Sequence, residues 1–190
     1  HRGQGYVLTH LGFTLAELGE YRSAREALEQ ALLIRSKSTD TNLRLDTLAG
    51  FILLALKRHE PEQALPYVNE ILKKFETSGA DGSEFPAQIY LICYQLVNTL
   101  SISQPHYSTQ AAQVLEAGYT FLQKRADAIK EPLLRQSFLY NMPFHHALVT
   151  LWQAQMSQAR PVDASASWPG NATYWLPGTT PDGNRRGGAK

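Results

Sequence analysis

Cysteine is almost missing. Cys93 stands alone in 190 residues, so no internal disulfide forms and a disulfide-stapled secreted scaffold is excluded. An excess of one charge is missing too: Lys plus Arg number 18 and Asp plus Glu 17, a formal net charge of +1. With no long basic run, nothing draws the chain to nucleic acid or to an anionic membrane. Long hydrophobic runs are also lacking. The stretch 5–18 is interrupted by His10 and Glu17, which suits neither a signal peptide nor, at that length, a membrane span. Without a targeting segment, the expected location is the cytoplasm. The opening residue, His1, reads as the start of a piece cut from a longer chain. No Gly-Lys-Ser/Thr phosphate loop exists, and Gly3-x-Gly5 lacks both a third glycine and a preceding strand.

What the chain has in quantity is helical periodicity. Residues 1–158 are rich in Leu, Ala, Glu and Gln, with apolar positions repeating at 3.6-residue spacing and no run of period-two alternation. A helix is predicted over 5–18, with Leu8, Leu11, Leu15 and Leu18 on one side, ended by Gly19-Glu20. The next covers 21–36, with a stripe of Tyr21, Ala24, Leu28, Ala31 and Leu32. After a polar linker, where Asp40 or Thr41 suits an N-cap, a third helix carries Leu45, Leu48, Ile52 and Leu56. Pro61 opens a fourth, which buries Ala64, Val68, Ile71, Leu72 and Phe75, with Pro66 in its first turns. Helices follow over 86–100 (apolar nearly all round, so touched on two sides), 108–128, 131–139 and 143–157. Residues 159–190 hold four prolines, five glycines and a basic end at Arg185-Arg186, and read as an irregular tail.

The first two helical pairs superpose. With Ala24 set on Ala64, Leu8 meets Leu48, Leu15 meets Ala55, Tyr21 meets Pro61 and Leu28 meets Val68, an offset of 40 residues. Ala111 on Ala64 gives a third unit at an offset of 47. Leu8, Leu11-Gly12, Leu15, Gly19-Glu20-Tyr21, Ala24, Leu28 and Ala31-Leu32 form a pattern that closely resembles a tetratricopeptide repeat (TPR). The run Leu134-Arg135-x-Ser137-Phe138-Leu139-x-Asn141-Met142-Pro143, then His145-His146, resembles a segment near the end of TPR regions in large bacterial signalling proteins. These are NTPase, transcriptional-regulator and adenylate-cyclase types; Gly3 to Gly12 is similar to the same proteins. Met142 departs from their usual valine, and Ser36 from the usual proline at a repeat end.

The resemblance implies an all-α fold, a TPR-like right-handed superhelix of antiparallel pairs over 5–36, 41–77 and 86–128, with C-terminal capping helices over 131–157. It implies a sensor or scaffold that binds a protein or peptide, neighbouring domains of the same chain included, and no output activity. In that family the first helix of each pair lines the concave face. Carried over, the candidate partner-binding residues are Tyr6, Thr9, Phe13, Ala16 and Glu17, then Asp46, Ala49, Leu53, Leu56 and Lys57. Phe13, Leu53 and Leu56 make that face apolar, and Glu17 with Lys57 would fix a peptide's polar groups. The alternative is a structural spacer whose face another domain or copy covers.

Catalytic and metal chemistry find no constellation, so a non-enzyme with no cofactor and no metal is expected. His145 and His146 point about 100° apart on a helix, and Val149 and Thr150 stand where a further ligand would. Cys93 has no charged partner within a turn and reads as a core thiol. Glu26 and Glu29 face Arg22 and Arg25 as solvated helix pairs. Asn171-Ala172-Thr173 is a chance sequon in a chain without a secretory signal.

Overall fold

Apolar residues at helical spacing, punctuated by Pro and Gly, produce eight α-helices among the described residues of the computed structural model. It describes residues 2–36 and 42–159. The candidate N-caps Asp40 and Thr41, the tail 160–190 and the Asn171 sequon lie outside them. The elements are α1 (Arg2–Glu17), α2 (Tyr21–Arg35), α3 (Leu43–Lys57), α4 (Leu65–Ser78), α5 (Pro86–Ser103), α6 (Tyr107–Asp127), α7 (Pro132–Tyr140) and α8 (Pro143–Ala159). No strand occurs among the described residues. The expected fourth helix divides, with a 3-10 turn over Pro61–Ala64 before α4. Pro66 causes this. A continuous helix would need its absent N–H on the Glu62 carbonyl, which instead accepts from Leu65.

The turn out of α1 recurs after α3. Gly19 has φ +81°, and the Glu20 N–H reaches back to the Leu15 carbonyl at 2.9 Å. Forty residues on, His59 has φ +58° and the Glu60 N–H reaches the Ala55 carbonyl at 2.9 Å. Both are left-handed helix stops of the Schellman kind. Glycine fits the first without strain; His59 carries the cost of a Cβ in the second.

Helix α3 is the centre, with α1, α2, α4 and α5 all packed against it. Every residue from Leu45 to Ala55 is buried. Further along, α5 packs on α6 and α8, while α7 lies against α6 and α8. The small side chains sit where helices meet: Ala24, Ala31 and Ala64 are all fully buried. Gly12 and Gly50 close on the two sides of Leu28, where an added Cβ would come within 2.5 Å of its side chain. The apolar girth of α5 is buried as expected, and so are Ala111, Val114, Leu115, Gly118, Leu122 and Ala126 of α6.

On α1 the leucine stripe faces differently from its expected packing. Leu11 and Leu18 are exposed and Leu8 and Leu15 half-buried, while Gly5, Thr9, Gly12, Phe13 and Ala16 turn inward. The reason is the approach of α2 and α3: an added Cβ at Gly5 or Gly12 would meet Arg35 or Leu28 of α2, Thr9 bonds Thr47 of α3, and a leucine row would hold both helices off.

Candidate functional site

Ten residues of α1 and α3 were expected to line an open groove; six of them are core. Thr9, Phe13, Ala16, Asp46, Ala49 and Leu53 are buried, so in this arrangement they offer a partner no surface. The Thr9 hydroxyl instead hydrogen-bonds that of Thr47 at 2.8 Å, joining α1 to α3. Tyr6 and Glu17 are exposed, and Leu56 and Lys57 partly so. Lys57 donates to the Glu17 carboxylate, and the Tyr21 hydroxyl donates to the Lys57 carbonyl at 3.0 Å. The two charges expected to receive a peptide therefore already hold each other, at equivalent positions of two successive units.

The chain's buried polar chemistry gathers where α1, α2 and α3 meet the connection 79–85. Arg35 lies at the end of the stripe Ala24, Leu28, Ala31 and is only 4% exposed. Its Nη1 donates to the Leu43 carbonyl, and its Nη2 reaches both Glu84 carboxylate oxygens at 3.2 and 3.4 Å. Gly5 makes room for it: a Cβ there would sit 3.2 Å from Arg35 Cγ. Asp46, 3% exposed, accepts from the Glu84 N–H at 3.0 Å and the Phe85 N–H at 3.1 Å, just ahead of α5. His10 Nε2 lies 3.8 Å from Glu84 Oε2. On the outer flank of the connection, Asn42 donates to the Asp81 carbonyl at 2.7 Å and Arg125 of α6 to the Asp81 carboxylate at 2.6 Å.

One guanidinium faces two carboxylates in this cluster, and burial dominates the titration. Burial pushes the Asp46 carboxyl up to about 6, with the Glu84 charge adding to the rise; the two backbone N–H donors and Arg35 oppose it. Burial holds His10 below its ordinary value, Glu84 opposing and Arg35 assisting. Over the cluster lies an aromatic patch. The Tyr6 and His10 rings are 4.3 Å apart, Phe85 meets His10 edge-on at 5.2 Å, and Phe13 lies 6.3 Å from His10. Tyr6 and Phe85 are 40% and 39% exposed.

Sequence reasoning singled out Tyr6, Phe13 and Asp46 but missed His10, Arg35, Glu84 and Phe85 as members of one site. Arg35 carried a signal: it continues the buried stripe at i+4 from Ala31. Glu84 and Phe85, in a polar connection, carried none.

The run 134–146 turns out to build a corner. Arg135 donates to the Ile129 carbonyl through Nε at 3.1 Å and Nη2 at 2.8 Å, fastening the connection between α6 and α7. Asn141 donates to Ser137 Oγ at 3.0 Å, and His145 Nδ1 pairs with the Phe138 carbonyl at 2.7 Å. Burial lowers the His145 pKa. His146 stands instead beside Tyr140, its ring 6.0 Å away. Among the described residues no three His, Cys, Asp or Glu side chains gather to hold a metal ion, and no helix is long and apolar enough to cross a membrane.

Cys93 is fully buried, and desolvation pushes its thiol well above the ordinary range. The native protein is accordingly expected to leave a disulfide-exchange dye unreacted at pH 8 and to titrate one thiol after unfolding in urea. Rapid native reaction would show the α5 core open. A crevice of about 30 Å³ between Arg25, Phe51, Arg58 and Tyr67 has room for about one water. No family model, curated protein or solved structure matches the chain.

Proposed function

We propose that the chain is a non-catalytic protein-interaction or signal-sensing module of TPR type within a larger cytoplasmic regulatory protein. The observation that carries this reading is the half-exposed Tyr6–His10–Phe85 patch, seated on a hydrogen-bonded polar cluster. Half-exposed aromatic rings held by a fixed frame give a partner large contact area at little ordering cost. The recurring turn after α1 and α3 and the buried small residues at the crossings support stacked helical pairs as its frame. A photoreactive phenylalanine at position 6 or 85 of the full-length protein is expected to cross-link a second polypeptide. The same probe at Glu116, on exposed α6 surface, is expected to capture none. Equal capture at all three positions, or none at 6 and 85, would refute the binding reading.

A spacer role is the second reading, favoured by Leu133, Leu134 and Met142, which are exposed on the α7–α8 corner. It predicts that probes at 133 and 134 cross-link only within the same chain.

A further inference from the structure

Helices α1 and α3 correspond at an offset of 40 residues, and their inward sides agree position by position. Gly5 and Leu45, Thr9 and Ala49, and Phe13 and Leu53 are all buried. Their other sides do not agree. On α3 the row Leu43, Thr47, Gly50 and Leu54, spaced i, i+4, i+7 and i+11, is buried. What covers it is the α1–α2 hairpin. The Leu43 carbonyl accepts from Arg35, Thr47 bonds Thr9, Gly50 makes room for Leu28, and Leu54 shares a crevice with Arg25. The same row on α1 reads Gly3, Val7, His10 and Thr14. Here Val7 is 61% exposed, and Leu11 and Leu18 beside the row are 44% and 71% exposed. From residue 3 to residue 16 the helix carries no Asp, Glu, Lys or Arg. The side that α2 leaves to water is different: it carries Arg22, Glu26 and Glu29, all exposed.

We propose, resting on the reading of this chain as a module of a larger protein, that the uncharged row of α1 seats a further helical hairpin. That hairpin is folded from the polypeptide immediately ahead of α1 and packs there as α1 and α2 pack on α3. Continuity with the α2–α3 interface names the occupant. A second copy of the chain is the poorer one, because its α1–α2 hairpin is already engaged by its own α3 and its far end is closed by the nine-residue α7. The row also sets the chemistry of what covers it. Burying a charge against Val7, Leu11 and Leu18 would leave it unpaired, so the incoming side chains are aliphatic. His10 stands where α3 has Gly50, and its ring already lies against Tyr6 and Phe85. That leaves no slot for a leucine such as Leu28, and the incoming helix meets His10 with a small residue.

The test is maleimide labelling of the full-length protein, read at each new cysteine by mass spectrometry. Val7→Cys and Leu18→Cys are expected to react at least about tenfold more slowly than Leu33→Cys. Leu33 is the control because it is exposed on α2 and its counterpart Lys73 is exposed as well. A photoreactive phenylalanine at position 11, in a mixture of isotope-labelled and unlabelled protein, then identifies what lies there. Cross-links within one chain, to residues ahead of α1, are expected. Equal labelling rates, cross-links between labelled and unlabelled copies, or cross-links to another polypeptide would overturn the hairpin. So would a full-length protein with nothing folded ahead of α1. Capture of a partner from positions 6 and 85, with no cross-link from position 11, would remove the hairpin and leave the binding reading standing.

Discussion

Leu28→Ala is expected to destabilise the protein by about 3–5 kcal/mol, lowering the urea midpoint by about 2 M at a slope of about 2 kcal/mol per M. Leu28 is fully buried and fills a slot whose walls are the glycines of two other helices, Gly12 on α1 and Gly50 on α3. Backbones cannot collapse into the vacated space as side chains can, so the cavity should stay near full size. The reverse change makes the same point. In Gly12→Ala the new Cβ would stand 2.5 Å from Leu28 Cγ and 2.7 Å from Cδ2. The gain of about 1 kcal/mol in helix propensity is outweighed, and a net loss of about 1–3 kcal/mol is expected. Combined, the two changes should cost less than their sum by at least about 1 kcal/mol, because the shortened residue 28 admits the methyl group. Strict additivity would mean that Leu28 does not occupy the slot between the glycines.

That slot shows how far the sequence can be read. All eight helices were legible from period and punctuation, as were the buried alanines and the two-sided burial of α5. The direction in which α1 faces was not. Its leucines satisfy helical amphipathicity as well as its glycine–threonine–alanine side does, and only the approach of α2 and α3 decides between them. Gly50 was hidden for the same reason: the TPR-like register puts the small residue at 52, where this chain has isoleucine, and the close approach moves two positions along. The polar cluster was least legible. His10, Arg35, Asp46 and Glu84 are scattered over 75 positions of the chain, and nothing local in a single sequence ties them together. Asp46 was placed on an open face because it belongs to a first helix, yet Leu45 and Thr47 beside it are buried as well, and a carboxylate there requires donors.

Arg35 should show what those donors and their counter-charge are worth. Arg35→Leu is expected to cost about 3–5 kcal/mol at pH 7, since it leaves the Glu84 and Asp46 carboxylates facing each other without a cation and the Leu43 carbonyl without its donor. The deficit should shrink on acidification. With the guanidinium gone, the Asp46 carboxyl, already raised by burial, loses a cation that opposed the rise and holds its proton more tightly in the folded than in the unfolded chain, so folding gains on the leucine variant between pH 7 and 5. Arg35→Lys keeps the charge but cannot donate at once to Leu43 and to both Glu84 oxygens, so its loss should fall between wild type and leucine. Adding Glu84→Gln to Arg35→Leu should recover about half of the loss, because the more exposed carboxylate is then neutral and Asp46 keeps its two backbone donors. Urea titrations of the four variants at pH 5 and 7 make the measurement. An Arg35→Leu deficit that is equal at both pH values and untouched by Glu84→Gln would reduce Arg35 to a packing residue.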